Sequence, residues 1–324
     1  MAEELIKSDR NPYIQMGTVQ IQPGEYQTVT FLVGKLPIGQ KVGIKIHIFH
    51  SPNPGPRILL LAGVHGDEIN GVFTLKNILE SGLLHQLKKG SVIVVPLLNV
   101  YSFLNFSRDL PDGKDVNRSF PGNARGSLAS RMASVVSKRI LPEIDFGIDF
   151  HTGSALRYNY PQIRYTRSDN NSKMLADIFN APVQFPMATI SNSLRKTARI
   201  LHKPIIIFEG GESMRLDAYS NKIAAMGIRN VLAHFDMILD EPQKSEHLDF
   251  GHTVWIRATS AGIFTSYRSS GEHVEKSEII GSISDPFGEQ ISSVVATKNG
   301  FLIGHNQAAV VNHGDALFHL AFNK

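Results

Sequence analysis

The sequence predicts an α/β fold, with a mixed, mainly parallel sheet flanked by helices and a C-terminal all-β module. Three observations carry this. The run Ile58-Leu59-Leu60-Leu61-Ala62 is apolar without polar alternation and stops at Gly63, as in a strand buried on both faces. Further apolar runs at 91–98, 146–150 and 204–208 alternate with helix-like segments at about 69–87, 127–140, 171–180, 192–202 and 218–238. After a polar linker at 240–246, the chain turns to short strands separated by Gly271, Gly281, Gly288, Gly300 and Gly314.

Bulk properties narrow the function classes. A chain of 324 residues holds one large α/β domain and a smaller unit, and 42% hydrophobic against 19% charged residues supports a sizeable core. The net charge is +4, and Lys88-Lys89 and Lys138-Arg139 are short, isolated basic pairs, so no nucleic-acid surface is expected. The absence of cysteine excludes disulfides, thiolate chemistry and cysteine-ligated zinc, and fits a reducing compartment. The acidic start lacks a signal-peptide core and no run approaches 18 apolar residues. The expectation is a cytoplasmic protein without a membrane partner, with a homo-oligomer left open.

Taken in order, residues 1–56 contain β-branched and alternating stretches at 19–21, 27–33 and 42–49, read as an antiparallel entry segment packed on the catalytic domain. The loop 51–56 ends it. Residues 57–240 form the expected catalytic domain. Within it, 100–126 is rich in Gly, Asp, Asn and Pro without a clear period, and a loop of that length in a compact domain is usually functional or disordered. Residues 247–324 form the β module, with strands expected at 253–258, 262–267, 279–283, 291–296, 300–304 and 316–321.

Chemistry-bearing residues gather where strands end, which is where ligands bind in open α/β sheets. His65 and Glu68 follow the first buried strand, and one such pair is a weak signal in a chain with 13 histidines. It gains weight because His151 follows 146–150, Glu209 follows 204–208, and the loop after 91–98 carries Arg108, Asn117 and Arg118. Two His and one Glu with a position left open make a catalytic zinc arrangement. A carboxylate beside that position can take a proton from metal-bound water. An arginine can neutralise a developing oxyanion, and an Asn-Arg pair can grip a carboxylate. Glu212 is a rival to Glu209 as the base; Glu209 is preferred because it sits where the apolar strand stops. Asp149 is either a group behind His151 or an ordinary strand polar residue, and Arg157 and Arg164 are either anion readers or surface arginines. His305, His313 and His319 lack an acidic partner pattern and receive no role.

Four motifs in register resemble the succinylglutamate desuccinylase/aspartoacylase family of the zinc carboxypeptidase superfamily. They are Gly63-Val64-His65-Gly66-Asp67-Glu68, Asp115-Val116-Asn117-Arg118-Ser119-Phe120-Pro121-Gly122, Asp149-Phe150-His151-Thr152-Gly153 and Phe208-Glu209-Gly210-Gly211. The resemblance spans about 57–240 and implies a zinc-carboxypeptidase-like sheet. It also implies one Zn2+ per chain on His65, Glu68 and His151, with Glu209 as general base and Arg108 as the oxyanion arginine. By the same resemblance Asn117, Arg118 and Arg195 bind substrate. The segment 271–300 resembles the barrel-sandwich shape of biotinyl and lipoyl carrier domains, but its hairpin reads Asp285-Pro286-Phe287-Gly288 with no lysine. A lid or oligomerisation role is expected there rather than a carrier role.

The function expected is hydrolysis of the amide bond of a small N-acyl amino acid, with zinc polarising the acyl carbonyl. A metallocarboxypeptidase acting on peptides is the alternative enzyme, and a non-catalytic metal or ligand binder on the same scaffold is the alternative class.

Overall fold

A computed structural model describes residues 12–289 and 291–323. A large sheet, thirteen strands among the described residues, runs through the molecule. Its centre is parallel: Arg57–Ala62 pairs on one side with Ser91–Val95 and on the other with Phe146–Gly153, which pairs with Ile205–Glu212. The first strand shows why an unbroken apolar run was needed. Ile58, Leu60 and Ala62 enter the core under the helices Ile69–Glu80, Asn170–Phe179 and Ala218–His234, while Leu59 and Leu61 enter a second core on the opposite face. Side chains alternate across a strand, so both faces demand apolar residues.

Parallel pairing prevails only in that centre. On one flank Tyr26–Lys35 and Lys41–His50 form an antiparallel hairpin, and the second strand joins the sheet antiparallel to Ser91–Val95. On the other flank Arg157–Tyr165 pairs antiparallel with Ile205–Glu212 and parallel with Val183–Pro186. Neither Arg157–Tyr165 nor Val183–Pro186 was expected as a strand. C-terminal strands then extend the sheet, with Gly300–Asn306 antiparallel to Arg157–Tyr165, followed by Ala316–Phe322 and His252–Arg257. A separate four-stranded sheet of Ile291–Val295, Ile279–Ser284, Gly262–Ser266 and Val310–Val311 packs over them through Phe264, Ile283, Leu302 and Phe318.

Helix ends follow local chemistry. The helix expected to reach 87 stops at Glu80, because Gly82 takes a left-handed conformation at φ 71° and only a short 3-10 turn, Leu83–Gln86, follows. Asp217 caps the last long helix by accepting a hydrogen bond from the Ser220 N–H at 2.6 Å. That helix ends at His234, short of the expected 238. The long loop after Ser91–Val95 contains the helix Val100–Leu104 and a single turn at Val116–Arg118. No described helix is long and apolar enough to cross a membrane.

Candidate active site

The carboxyl ends of the central strands bring the predicted residues to one cavity of about 190 Å³, lined by His65, Glu68, His151, Glu209, Arg108, Asn117, Arg118 and Arg195 among others. The first loop lies hard against the second. A Cβ on Gly66 would stand 2.0 Å from the Ser102 carbonyl carbon, so only glycine allows the approach, and the Gly66 N–H donates to Ser107 O at 3.0 Å. The neighbouring Arg108 is thereby delivered to the metal-type cluster. Its Nη1 lies 3.2 Å from His65 Nδ1 and 3.3 Å from Glu68 Oε1, and its Nη2 donates to Asp115 Oδ2 at 3.0 Å.

The cluster itself is compact and buried. Glu68 holds both imidazoles, with Oε1 2.8 Å from His65 Nδ1 and Oε2 2.8 Å from His151 Nδ1, and it also accepts from the Thr152 N–H at 3.1 Å. The second ring nitrogens are engaged too: His65 Nε2 lies 3.3 Å from Asp115 Oδ1 and His151 Nε2 lies 2.9 Å from Asp149 Oδ2. Burial alone would raise the Glu68 pKa, but the two imidazoles override it and hold the carboxyl well below its usual range. Among the described residues this is the one group of three such side chains whose ligand atoms lie within 4.8 Å of one another. It fits zinc chemically: two nitrogen donors and one carboxylate with no thiolate, each ring fixed from behind by a carboxylate so that Nδ1 faces the shared point.

Glu209 stands beside His151 in the parallel register and is buried. Both of its oxygens are held, Oε1 by Arg164 Nη1 at 2.8 Å and Oε2 by Asn159 Nδ2 at 2.9 Å. Burial pushes its pKa up while Arg164 pulls it down, with a net rise. Glu212 is separated from it by a register shift and by Gly211 at φ 77°. Its Oε1 pairs with the exposed Arg215 at 3.3 Å, and it does not line the cavity.

The remaining predicted residues occupy the rim and one wall. The Asn117 side chain accepts from the Leu194 N–H at 2.9 Å, tying the long loop to the helix Leu194–Ile200 that carries Arg195. Arg118 is half exposed, with Nη1 donating to Asn117 O at 2.8 Å. Arg195 is only 5% exposed; its Nη2 donates to Ala188 O at 2.6 Å and its Nη1 has no partner among the described residues. Burial and the neighbouring Arg164 push its pKa down to about 10.

Sequence reasoning assigned no role to Asp115, Asn159 or Trp255. Asp115 lay inside a motif and could have been singled out as the carboxylate behind His65. Asn159 and Arg164 ride on the strand that was not expected. Trp255, the chain's single tryptophan, comes from the C-terminal strand His252–Arg257 to line the same cavity.

Comparison with known proteins places these features in context. The model of the succinylglutamate desuccinylase/aspartoacylase catalytic domain matches residues 54–235, more than half of the chain. N-alpha-acetyl-L-2,4-diaminobutyric acid deacetylase from Halomonas elongata is 28% identical over 280 residues, covering 81% of each chain. A succinylglutamate desuccinylase/aspartoacylase from Rhodobacter sphaeroides shares the fold with a TM-score of 0.82 at 23% identity, covering 92% of this chain and 96% of that one. The product-bound ectoine utilization protein EutE (DoeB) from Ruegeria pomeroyi has a TM-score of 0.84 at 23% identity, with 97% and 99% coverage.

Proposed function

Since the chain belongs to the succinylglutamate desuccinylase/aspartoacylase family, we propose that it is a zinc-dependent hydrolase cleaving the amide bond of a small N-acyl amino acid. The convergence of a His-Glu-His cluster, a buried glutamate and several arginines on one small cavity carries the reading. His65, Glu68 and His151 hold the ion, and Asp115 and Asp149 fix the two rings. Zinc supplies Lewis-acid polarisation of the acyl carbonyl and acidifies a water to a pKa of about 7.

Glu209 takes the proton of the attacking water and later delivers it to the leaving amine, so the amide C–N bond breaks as the carboxylic acid and the free amine form. Its strand-end position beside His151 supports that role, and Asn159 and Arg164 hold its two carboxylate oxygens. Arg108 faces the charge that develops on the carbonyl oxygen. Arg118, supported by Asn117, grips the α-carboxylate at the half-open rim, and Arg195 adds a cation inside. By the same reading the stretches 1–56, 57–240 and 247–324 are divisions of the sequence whose described strands share the large sheet, and the last is a non-carrier module that contributes Trp255 to the pocket.

The test is hydrolysis of a panel of N-acyl amino acids and peptides, with and without chelator. Chelator-sensitive release of free amino acid from acyl amino acids, with little cleavage of peptides, is expected. Preferred cleavage of peptides would make the chain a carboxypeptidase, and no turnover with zinc bound would make it a binder.

A further inference from the structure

We propose that Asn70, on the first turn of the helix Ile69–Glu80, is a positioning residue. Its side-chain amide locks the turn that follows Glu209 onto the loop that carries Glu68, and so sets where the base stands relative to the metal site. The inference rests on the reading of Glu209 as the base and adds to it a residue that does not line the cavity.

Asn70 is 3% exposed, and its side chain uses its whole hydrogen-bonding capacity. Nδ2 donates to Glu212 O at 3.1 Å and to Arg215 O at 2.8 Å. Oδ1 accepts from the Asp217 N–H at 2.8 Å and from Asn221 Nδ2 at 3.1 Å. A primary amide offers two N–H donors and two acceptor lone pairs, so nothing is left over. The partners also fix which way the amide faces, because the two carbonyls only accept and the backbone N–H only donates. All four partners stand 142 to 151 residues further along the chain. The approach is close: a Cβ on Gly211 would stand 2.8 Å from Asn70 Nδ2.

The gripped turn needs holding. Regular pairing with Phe146–Gly153 stops at Glu209, shifts register, and resumes at Glu212. Gly211 follows at φ 77° and Met214 at φ 61°. A left-handed methionine is uncommon and persists only where its surroundings impose it. The surroundings here are the two loops that bear the cluster. The Met214 N–H donates to Asp67 O at 2.9 Å, beside Glu68, and the Ser213 N–H donates to Gly153 O at 2.9 Å, two residues past His151. Ser213 Oγ adds a bond to Ala155 O at 2.7 Å. Asn70 closes this arrangement from the helix side. It stands two residues from Glu68 and grips the carbonyl three residues past Glu209. Misplacing a reacting group by about 1 Å costs on the order of 10²-fold in rate, so such a clamp acts on the rate without touching substrate.

The test compares the zinc-loaded full-length chain with Asn70→Asp, Asn70→Ser and Thr74→Val. Asn70→Asp keeps the shape and both accepted bonds, but puts an oxygen where Nδ2 faced two carbonyls. Asn70→Ser is too short to span both carbonyls and buries no charge, and it decides the matter where Asn70→Asp does not fold. Thr74→Val is the structural control. It lies one turn further along the same helix and removes the 2.8 Å bond from Thr74 Oγ1 to Asn221 Oδ1, with none of the bonds to the turn. Bound zinc, amide hydrogen exchange by mass spectrometry, and kcat and KM on the best acyl amino acid are measured on each.

Both Asn70 variants should keep about one zinc per folded chain. Their amides at 210–217 should exchange at least about tenfold faster while the central strands exchange as before. Their kcat should fall about 10- to 100-fold with KM within about threefold, the split expected when an interaction made in the transition state is lost. Thr74→Val should melt lower with kcat and exchange at 210–217 unchanged. Normal exchange at 210–217 in the Asn70 variants, zinc lost in step with activity, or an equal fall of kcat in Thr74→Val overturns the clamp and makes Asn70 an ordinary support of its helix. Local loosening at 210–217 in a chain that hydrolyses nothing even when unaltered leaves the clamp standing and removes the hydrolase reading; hydrolysis with normal kcat in both Asn70 variants does the opposite.

Discussion

Replacing Glu209 by Gln separates the assignment of the base from every rival. Gln keeps the size and can still accept one hydrogen bond, but its amide cannot take a proton. It also loses the charge that pairs Arg164 Nη1 at 2.8 Å and presents an NH2 to either Arg164 or Asn159, which are themselves donors. Loss of a positioned acid–base group costs about 10²–10⁴-fold in rate, or about 2.7–5.4 kcal/mol of barrier. Breaking one side of a buried ion pair costs roughly 3–5 kcal/mol of stability. The Arg164 side chain is 14% exposed, so the variant should also melt at a lower temperature.

Zinc content distinguishes the two effects, because Glu209 is not in the His-Glu-His cluster and Glu209→Gln should still hold about one ion per folded chain. The matched control is Glu212→Gln. Its partner Arg215 is 76% exposed, and such a pair is worth at most about 1 kcal/mol. The assay is turnover of the best acyl amino acid, with bound zinc and unfolding temperature measured on the same samples. Collapse of turnover in the Glu212 variant alone, or a Glu209 variant with a tenth or more of normal turnover, would refute the strand-end argument.

Further outcomes follow from the same geometry. Metal analysis of His65→Ala should show zinc lost, as should chelator treatment of the unaltered chain; undiminished zinc in His65→Ala rejects the ligand set. Burial, followed by the nearby Arg164, pushes the pKa of His319 down to about 3 from an unfolded value of about 6.5. The unfolded chain therefore binds the proton first, so this residue's share of stability is intact above pH of about 6.5 and is lost as pH falls toward 3. Urea midpoints at two pH values should accordingly drop more in the unaltered protein than in His319→Phe, which keeps the stack on Trp255; equal drops would argue against it. Gly66→Ala should lose most activity with partial loss of stability, since its Cβ meets the 102–103 backbone and pushes the Arg108 loop away; normal turnover in that variant contradicts the close approach. Finally, intact mass of protein from its native host should show no biotinyl or lipoyl adduct on the C-terminal module.

Which parts were legible in the sequence depends on where each element finds its partners. The central strands were readable because burial on both faces leaves a local record, the unbroken run from Ile58 to Ala62 with its alternate residues in two cores. His65, His151 and Glu209 were singled out because each stands at the end of such a run, whereas Arg108, Asn117 and Arg118 lie in the long loop, Arg195 lies in a helix, and the role expected of Arg195 came only through the resemblance. The strand Arg157–Tyr165 left no such record. Its sequence, Arg-Tyr-Asn-Tyr-Pro-Gln-Ile-Arg-Tyr, is polar and contains Pro161, which argues against an interior strand. It exists because neighbours on both sides impose it, and the proline is tolerated at an irregularity. Glu209 pairs with Gln162 while Gly211 pairs with Asn159, so Tyr160 and Pro161 together face Gly210.

That bulge bears on function. It lies between Asn159 and Arg164 on the strand that presents both of them to Glu209. The sequence shows a glutamate at a strand end, but the groups that hold it come from a strand whose formation depends on long-range pairing. The same holds for Trp255, which reaches the cavity only because Gly300–Asn306 pairs with Arg157–Tyr165 and carries Ala316–Phe322 and His252–Arg257 with it. His65, Glu68, His151 and Glu209 are therefore written in local motifs, whereas Asn159, Arg164 and Trp255, which line the same cavity, are brought there by the pairing of distant strands. Substitutions at Tyr160 or Pro161 should accordingly alter substrate preference and the behaviour of Glu209 while leaving zinc content near one per chain, a pattern that metal analysis and kcat/KM ratios across the acyl amino acid panel would reveal. A loss of zinc in step with activity would show instead that this strand supports the whole site rather than its base and its wall.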